Sequence, residues 1–302
     1  MTLRKAFGVA VSGTFAALAA MIVGSLVASL SLSAAPSQVL LSTAVMWLVA
    51  TPLLFLLGTR VLGLDASTMG LRPPKGTTRR PRYVLGAAIG MGLLLAPAIV
   101  GRLAGGYLPL TPDAIASLLV PTGVPASLAI LYTLPILIIA AGSEEVLFRG
   151  LLLRVWQPLL GPKGALVIST LLFAAVHVGN PGAAPQGTIG VILAGIALGA
   201  IFLATGDLWF VAGAHMGWNA ATAVLIGLPV SGFTLPAVLR WEVADTPFWQ
   251  GLLGGSFGPE EGLLFHASLG LAAVVALILA GTAGAFRAAN APPVSSPSED
   301  SG

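Results

Sequence analysis

Leu131-Tyr132-Thr133-Leu134-Pro135-Ile136-Leu137-Ile138-Ile139-Ala140-Ala141-Gly142-Ser143-Glu144-Glu145 is the stretch that decides how this chain is read. With its flanks it forms an apolar run over roughly residues 128–154. A helix needs about 20 apolar residues to cross a hydrocarbon core about 30 Å thick, at about 1.5 Å of rise per residue. The run is therefore read as a membrane-spanning helix, yet it carries two adjacent carboxylates. Charge inside hydrocarbon is costly, so ionisable groups at that depth are a functional hypothesis from the outset.

The rest of the chain agrees with a membrane setting. Of its 302 residues, 56% are hydrophobic and only 8% charged. A soluble domain usually carries about 25% charged residues. So few charges do not coat a water-facing surface of this size, and the surplus apolar surface is expected to face lipid. A net charge of +3 from 14 Lys and Arg makes no dense patch outside one loop, which argues against a nucleic-acid partner. With no cysteine, disulfides, thiolate metal sites and a Cys nucleophile are excluded.

Reading outward gives an all-α, polytopic membrane helix bundle of about eight transmembrane helices. The runs lie near 7–32, 39–62, 83–101, 128–154, 165–179, 188–205, 208–228 and 262–284. The first follows Arg4 and Lys5, but its apolar run is longer than the 7–15 residues of a usual signal-peptide core. If the N-terminus is cytoplasmic, all of the 14 basic residues except Arg102 and Arg240 fall on the inner side. Inner loops are enriched in Lys and Arg, so both termini are expected in the cytoplasm. The basic, Pro-rich loop from Gly63 to Arg82 reads as a topology anchor on anionic lipid headgroups. Segment 229–262 reads as an outer re-entrant or capping loop. The organisation expected is two N-terminal helices over 1–64, a functional core over 65–285, and a Pro- and Ser-rich disordered tail over 286–302.

Three places break the apolar pattern. Glu145 and Arg149 are i and i+4 on the fourth helix, so they share a face and can pair, while Glu144 points about 100° away. That leaves one carboxylate for proton transfer. Phe173-Ala174-Ala175-Val176-His177 interrupts the fifth run. His215-Met216-Gly217-Trp218-Asn219 interrupts the seventh, with His215 and Asn219 on one face. Measured from the inner helix ends, Glu144 lies ~15 Å deep, His177 ~18 Å, His215 ~10 Å and Asn219 ~16 Å, so one shared site is geometrically open. A lone buried His or Asn is more often a packing element between helices. His266, alone near the start of the last run, is read as structural.

The order E-E-x-x-x-R, F-x-x-x-H, H-x-x-x-N, each in its own hydrophobic segment, resembles the CAAX protease and bacteriocin-processing (CPBP) family, which includes type II CAAX prenyl endopeptidases. The segments Met69–Pro73, Gly227–Gly232 and Gly254–Glu260 are similar to bacterial members. The resemblance implies a helical intramembrane endopeptidase with a conical cavity opening to the cytosol. It implies Glu144 as general base, His177 as a holder of the attacking water, and His215 with Asn219 as oxyanion donors. Glu145 and Arg149 would orient the site. The family is also labelled metalloprotease. Glu144, His177 and His215 would then be the zinc ligands, although the same groups suffice as a metal-free glutamate-type protease. The substrate implied is a membrane-associated peptide or protein, lipidated or not. Richness in Ala and Gly and the use of Arg over Lys point to a bacterial cytoplasmic membrane. The competing readings are a non-catalytic membrane partner or immunity protein keeping the fold, a small-solute transporter, and a plain helix bundle.

Overall fold

The structure is a computed structural model that describes residues 3–31, 39–110, 126–235 and 237–286. The tail from residue 287 on, expected to be disordered, lies outside the described residues. The helices are α1 (Leu3–Ser31), α2 (Val39–Leu56), α3 (Arg79–Leu103), α4 (Ala126–Glu145), α5 (Leu153–His177), α6 (Pro185–Thr205), α7 (Leu208–Ala220), α8 (Pro247–Leu253) and α9 (Leu263–Thr282). Large apolar side chains point outward along them: Phe15, Ile22, Leu131, Leu271 and Ile278 are all more than half exposed. A water-facing surface does not carry such side chains in rows, whereas lipid accepts them. The chain is an integral membrane helix bundle.

Six helices are long and apolar enough to cross a membrane: Ala6–Val27, Ala44–Val61, Arg79–Leu103, Thr133–His177, Pro185–Thr205 and Leu263–Thr282. The expected count of about eight is not reached by that measure, for two physical reasons. Thr133–His177 runs for 45 residues as one segment, although Gly161 inside it has φ 67° and ψ 175°. That conformation breaks the helix between Pro158 and Pro162. The seventh apolar run forms only 13 residues of α-helix before it changes pitch.

Three helices loosen into π-helical turns: Leu57–Val61 after α2, Val146–Leu152 after α4, and Ala221–Leu225 after α7. π-turns are rare and concentrate at functional sites. Here two of them directly follow motif residues, Glu144-Glu145 and Asn219. Ser169 Oγ, on α5, donates to the Phe148 carbonyl at 2.8 Å, anchoring one of these turns to the next helix. Thr51 Oγ1 donates to Ser143 Oγ at 2.6 Å and ties α2 to α4.

The loop segments are more ordered than a simple connection. β1 (Tyr107–Pro109) pairs antiparallel with β2 (Trp241–Val243), Tyr107 opposite Val243 and Pro109 opposite Trp241. β2, α8 and a 3₁₀ turn at Pro259–Glu261 fall within 229–262, the segment read as a re-entrant or capping loop.

Candidate active site

The site is assembled by one glycine-lined helix crossing and one capped helix start. Gly86 and Gly90 on α3 face Gly213 and Gly217 on α7. A Cβ on any of the four would overlap main-chain atoms of the opposite helix. Small residues four apart let two membrane helices approach backbone to backbone. Residues 215 and 219 sit two positions further along, about 200° around α7 from 213 and 217. The face that carries His215 and Asn219 is therefore turned away from the glycine crossing. Asp207, wholly buried, caps α7 by accepting from Trp209 N at 3.0 Å and Phe210 N at 3.3 Å. Arg82 Nε holds the same carboxylate at 2.6 Å, and its guanidinium lies over the Phe210 ring.

At the centre is the buried carboxylate of Glu145. Its Oε1 accepts from Arg149 Nη1 at 2.9 Å and meets His215 Nδ1 at 2.8 Å. Arg149, 1% exposed, also donates through Nη2 to the Gly195 carbonyl at 3.2 Å. Its guanidinium stacks 4.6 Å from the centre of the Phe173 ring. The other nitrogen of His215, Nε2, lies 3.8 Å from Glu144 Oε2. His215 thus stands between the two glutamates, one at each ring nitrogen. Glu144 keeps more solvent contact than Glu145, at 19% against 0% side-chain exposure.

His177 Nδ1 lies 2.7 Å from the Phe173 carbonyl. A carbonyl oxygen only accepts, so Nδ1 carries the proton and Nε2 of the neutral ring offers a lone pair. Phe173 links the two histidines, with ring centres 4.6 Å from His177 and 6.0 Å from His215. His177, His215, Asn219 and Phe173 line a cavity of about 70 Å³. Glu144 and Glu145 stand behind His215 rather than in that lining.

The structure thus brings Glu144, Glu145, Arg149 and His215 into direct contact, and joins His177 and Asn219 to them through the cavity. Among the other residues that line this cavity, three carry polar side-chain groups that the motifs did not single out for a role: Trp218, Ser231 and Glu260. Trp218 was legible only as the neighbour of Asn219. The other two come from loop stretches whose only sequence signal was similarity to bacterial relatives. Phe173 was visible as the first letter of F-x-x-x-H, but not as the ring on which Arg149 and both histidines rest. His266, read as structural, donates Nε2–H to the Glu260 carbonyl at 2.8 Å.

Among the described residues, no three of His, Asp and Glu come together as a metal cage. His215 has both nitrogens facing carboxylates, and a ligating imidazole needs one nitrogen turned to the ion. Glu144, His177 and His215 as arranged do not fit zinc.

Residues 126–221 match a family model described as Type II CAAX prenyl endopeptidase Rce1-like. All six motif residues, from Glu144 to Asn219, fall inside the match, and the resemblance drawn from them holds over that segment. The match is to a CAAX-type membrane protease. Comparison with curated proteins and with solved structures found no match.

Proposed function

We propose that this chain is an intramembrane endopeptidase that hydrolyses a peptide bond with a glutamate-activated water and without metal. In this reading Glu144 takes a proton from a water held by the lone pair of His177 Nε2. The resulting hydroxide attacks the peptide carbonyl, and the carbonyl oxygen becomes an oxyanion. His215, protonated on both nitrogens, donates Nε2–H to that oxyanion while Nδ1–H stays on Glu145. The Asn219 amide donates beside it. The proton on Glu144 then passes to the leaving amine, the oxyanion re-forms a C=O bond as the C–N bond breaks, and Glu144 returns to its carboxylate. Glu145 and Arg149 fix the orientation of His215 without touching the reacting atoms.

The observation that carries the reading is His215 clasped between two glutamates of another helix, beside a cavity that His177 and Asn219 also line. A scaffold or immunity protein has no use for that set, and a buried charge cluster with no role would only cost stability.

One observation favours a second assignment of the base: His177 lines the cavity and Glu144 does not. If His177 Nε2 takes the proton, Glu144→Gln retains cleavage within about tenfold while His177→Gln removes it. If Glu144 is the base, Glu144→Gln removes it, at a cost of about 10²–10⁴ in rate.

The chain is further proposed to pass the membrane eight times, with the break at Gly161 as a turn and both termini in the cytoplasm of a bacterial cell. The substrate is a membrane-associated peptide or protein cut near its C-terminus or leader, lipidated or not. Comparing membrane peptides from cells with the active chain and with Glu144→Gln tests this. Peptides with new termini found only with the active chain support it. Identical peptide sets overturn it.

A further inference from the structure

Glu260 is a buried carboxyl that the proposed chemistry does not use. It is 5% exposed, yet it lines the same cavity as His177, His215 and Asn219. Its Oε1 takes two long hydrogen bonds, from Trp218 Nε1 and Ser231 Oγ, each at 3.4 Å. Its Oε2 is buried with no partner. Among the described residues no Lys, Arg or His side chain forms an ion pair with it. The neighbouring Glu261 is satisfied differently, accepting from Gly255 N at 3.0 Å and Phe257 N at 3.3 Å. A buried carboxyl left half-satisfied is costly unless a ligand supplies the missing donors.

The segment is built to hold this group in place. Ser231 sits at φ 45°, a left-handed conformation that favours glycine. Asn180 Nδ2 grips the Ser231 carbonyl at 3.1 Å. On the other side, a Cβ on Gly190 of α6 would overlap the Glu260 main chain, so α6 packs directly against it. Apart from His177, His215, Asn219 and Trp218, the remaining walls are apolar, with Leu93, Val191, Ala194 and Leu269 among them.

We propose that Glu260 with Ser231 forms a specificity subsite for an ammonium group of the substrate, carried on an apolar stem. One unpartnered carboxylate oxygen in a group that also holds one hydroxyl suits a compact point charge better than the planar fork of arginine. Apolar walls suit the methylene stem of lysine. An N-terminal α-ammonium has the same tip on a shorter stem. This inference rests on the cavity being the substrate site, but the test below reads binding and needs no turnover.

The probes are n-pentylammonium chloride and n-pentanol, added to the whole chain in detergent, with binding followed by calorimetry at pH 8. The expected result is at least about tenfold tighter binding of the cation, as for other buried charge-assisted contacts. Glu260→Gln brings the ratio to within about threefold, whereas Glu144→Gln leaves it unchanged. Equal binding of both probes by the unaltered chain overturns the proposal, and so does an unchanged ratio in Glu260→Gln. If Glu260→Gln fails to fold, the comparison on the unaltered chain still decides. Nα-acetyl-lysine methylamide and glycine methylamide then separate the two sources of ammonium. Tighter binding of the first assigns a side chain, and of the second an N-terminus. If neither binds above its N-acetylated counterpart, the subsite is overturned. Loss of cleavage with retained ammonium binding would sink the protease reading alone.

Discussion

Arg149 is buried, and its charge is met chiefly by Glu145, the Gly195 carbonyl and the face of Phe173. Removing one partner of a buried pair strands the other, at a cost of about 3–5 kcal/mol. Arg149→Ala is expected to lower thermal stability in detergent by that order and to lose activity, because Glu145 then has only His215 to answer its charge. An unchanged unfolding temperature would contradict the pairing. The i, i+4 relation of Glu145 and Arg149 was legible in the sequence. The contact of Glu145 with His215 was not, since it joins two helices whose relative register no motif states. Phe173 was legible as a letter in a pattern, but its contacts with Arg149, His177 and His215 come from three different elements.

At the scale of the element, the glycines of α3 and α7 set that register. Gly217→Ala would press a Cβ into the Ala87 carbonyl. Overpacking of this kind costs about 1–3 kcal/mol. It also moves α7, so cleavage is expected to fall together with stability. Gly92→Ala, on α3 with open space around it, is the matched control and is expected to be silent in both unfolding and cleavage assays. The apolar runs fixed where helices form, because length and hydropathy alone demand a lipid-spanning helix. They carried no information on the π-turns at Val146–Leu152 and Ala221–Leu225, since a change from i+4 to i+5 bonding leaves the residue pattern apolar throughout. The segment 229–262 was read as a re-entrant or capping loop, but the pairing of its Trp241–Val243 with Tyr107–Pro109 depends on a partner strand more than a hundred residues away.

At the scale of the whole molecule, charge is scarce and its placement governs the response to pH. Burial pushes the Glu260 carboxyl up to about 7 from its ordinary 4.5. Between those values the folded chain holds a proton that the unfolded chain has released. Stability contributed at this position is therefore full below about 4.5, falls as pH rises through the window, and is lost above about 7. His266 holds the main-chain carbonyl of Glu260 rather than its carboxyl, so Glu260→Gln leaves that contact in place and is the reference for the comparison. That variant is expected to show a flatter decline in unfolding temperature between pH 5 and 8. An identical decline would remove Glu260 as the cause. Its burial was hidden in the sequence, where it fell in a segment read only as an outer re-entrant or capping loop. Only the approach of α6 at Gly190 and of Trp218 takes Glu260 out of water.

The central claim is that the cluster around His215 splits a peptide bond with water. The most direct measurement incubates the chain in proteoliposomes with a library of membrane peptides in heavy-oxygen water, and reads the new carboxyl termini by mass spectrometry. The account predicts one heavy oxygen in each new terminus made by the unaltered chain, and none from Glu144→Gln. No labelled termini from the unaltered chain, or equal labelling from both, would contradict it.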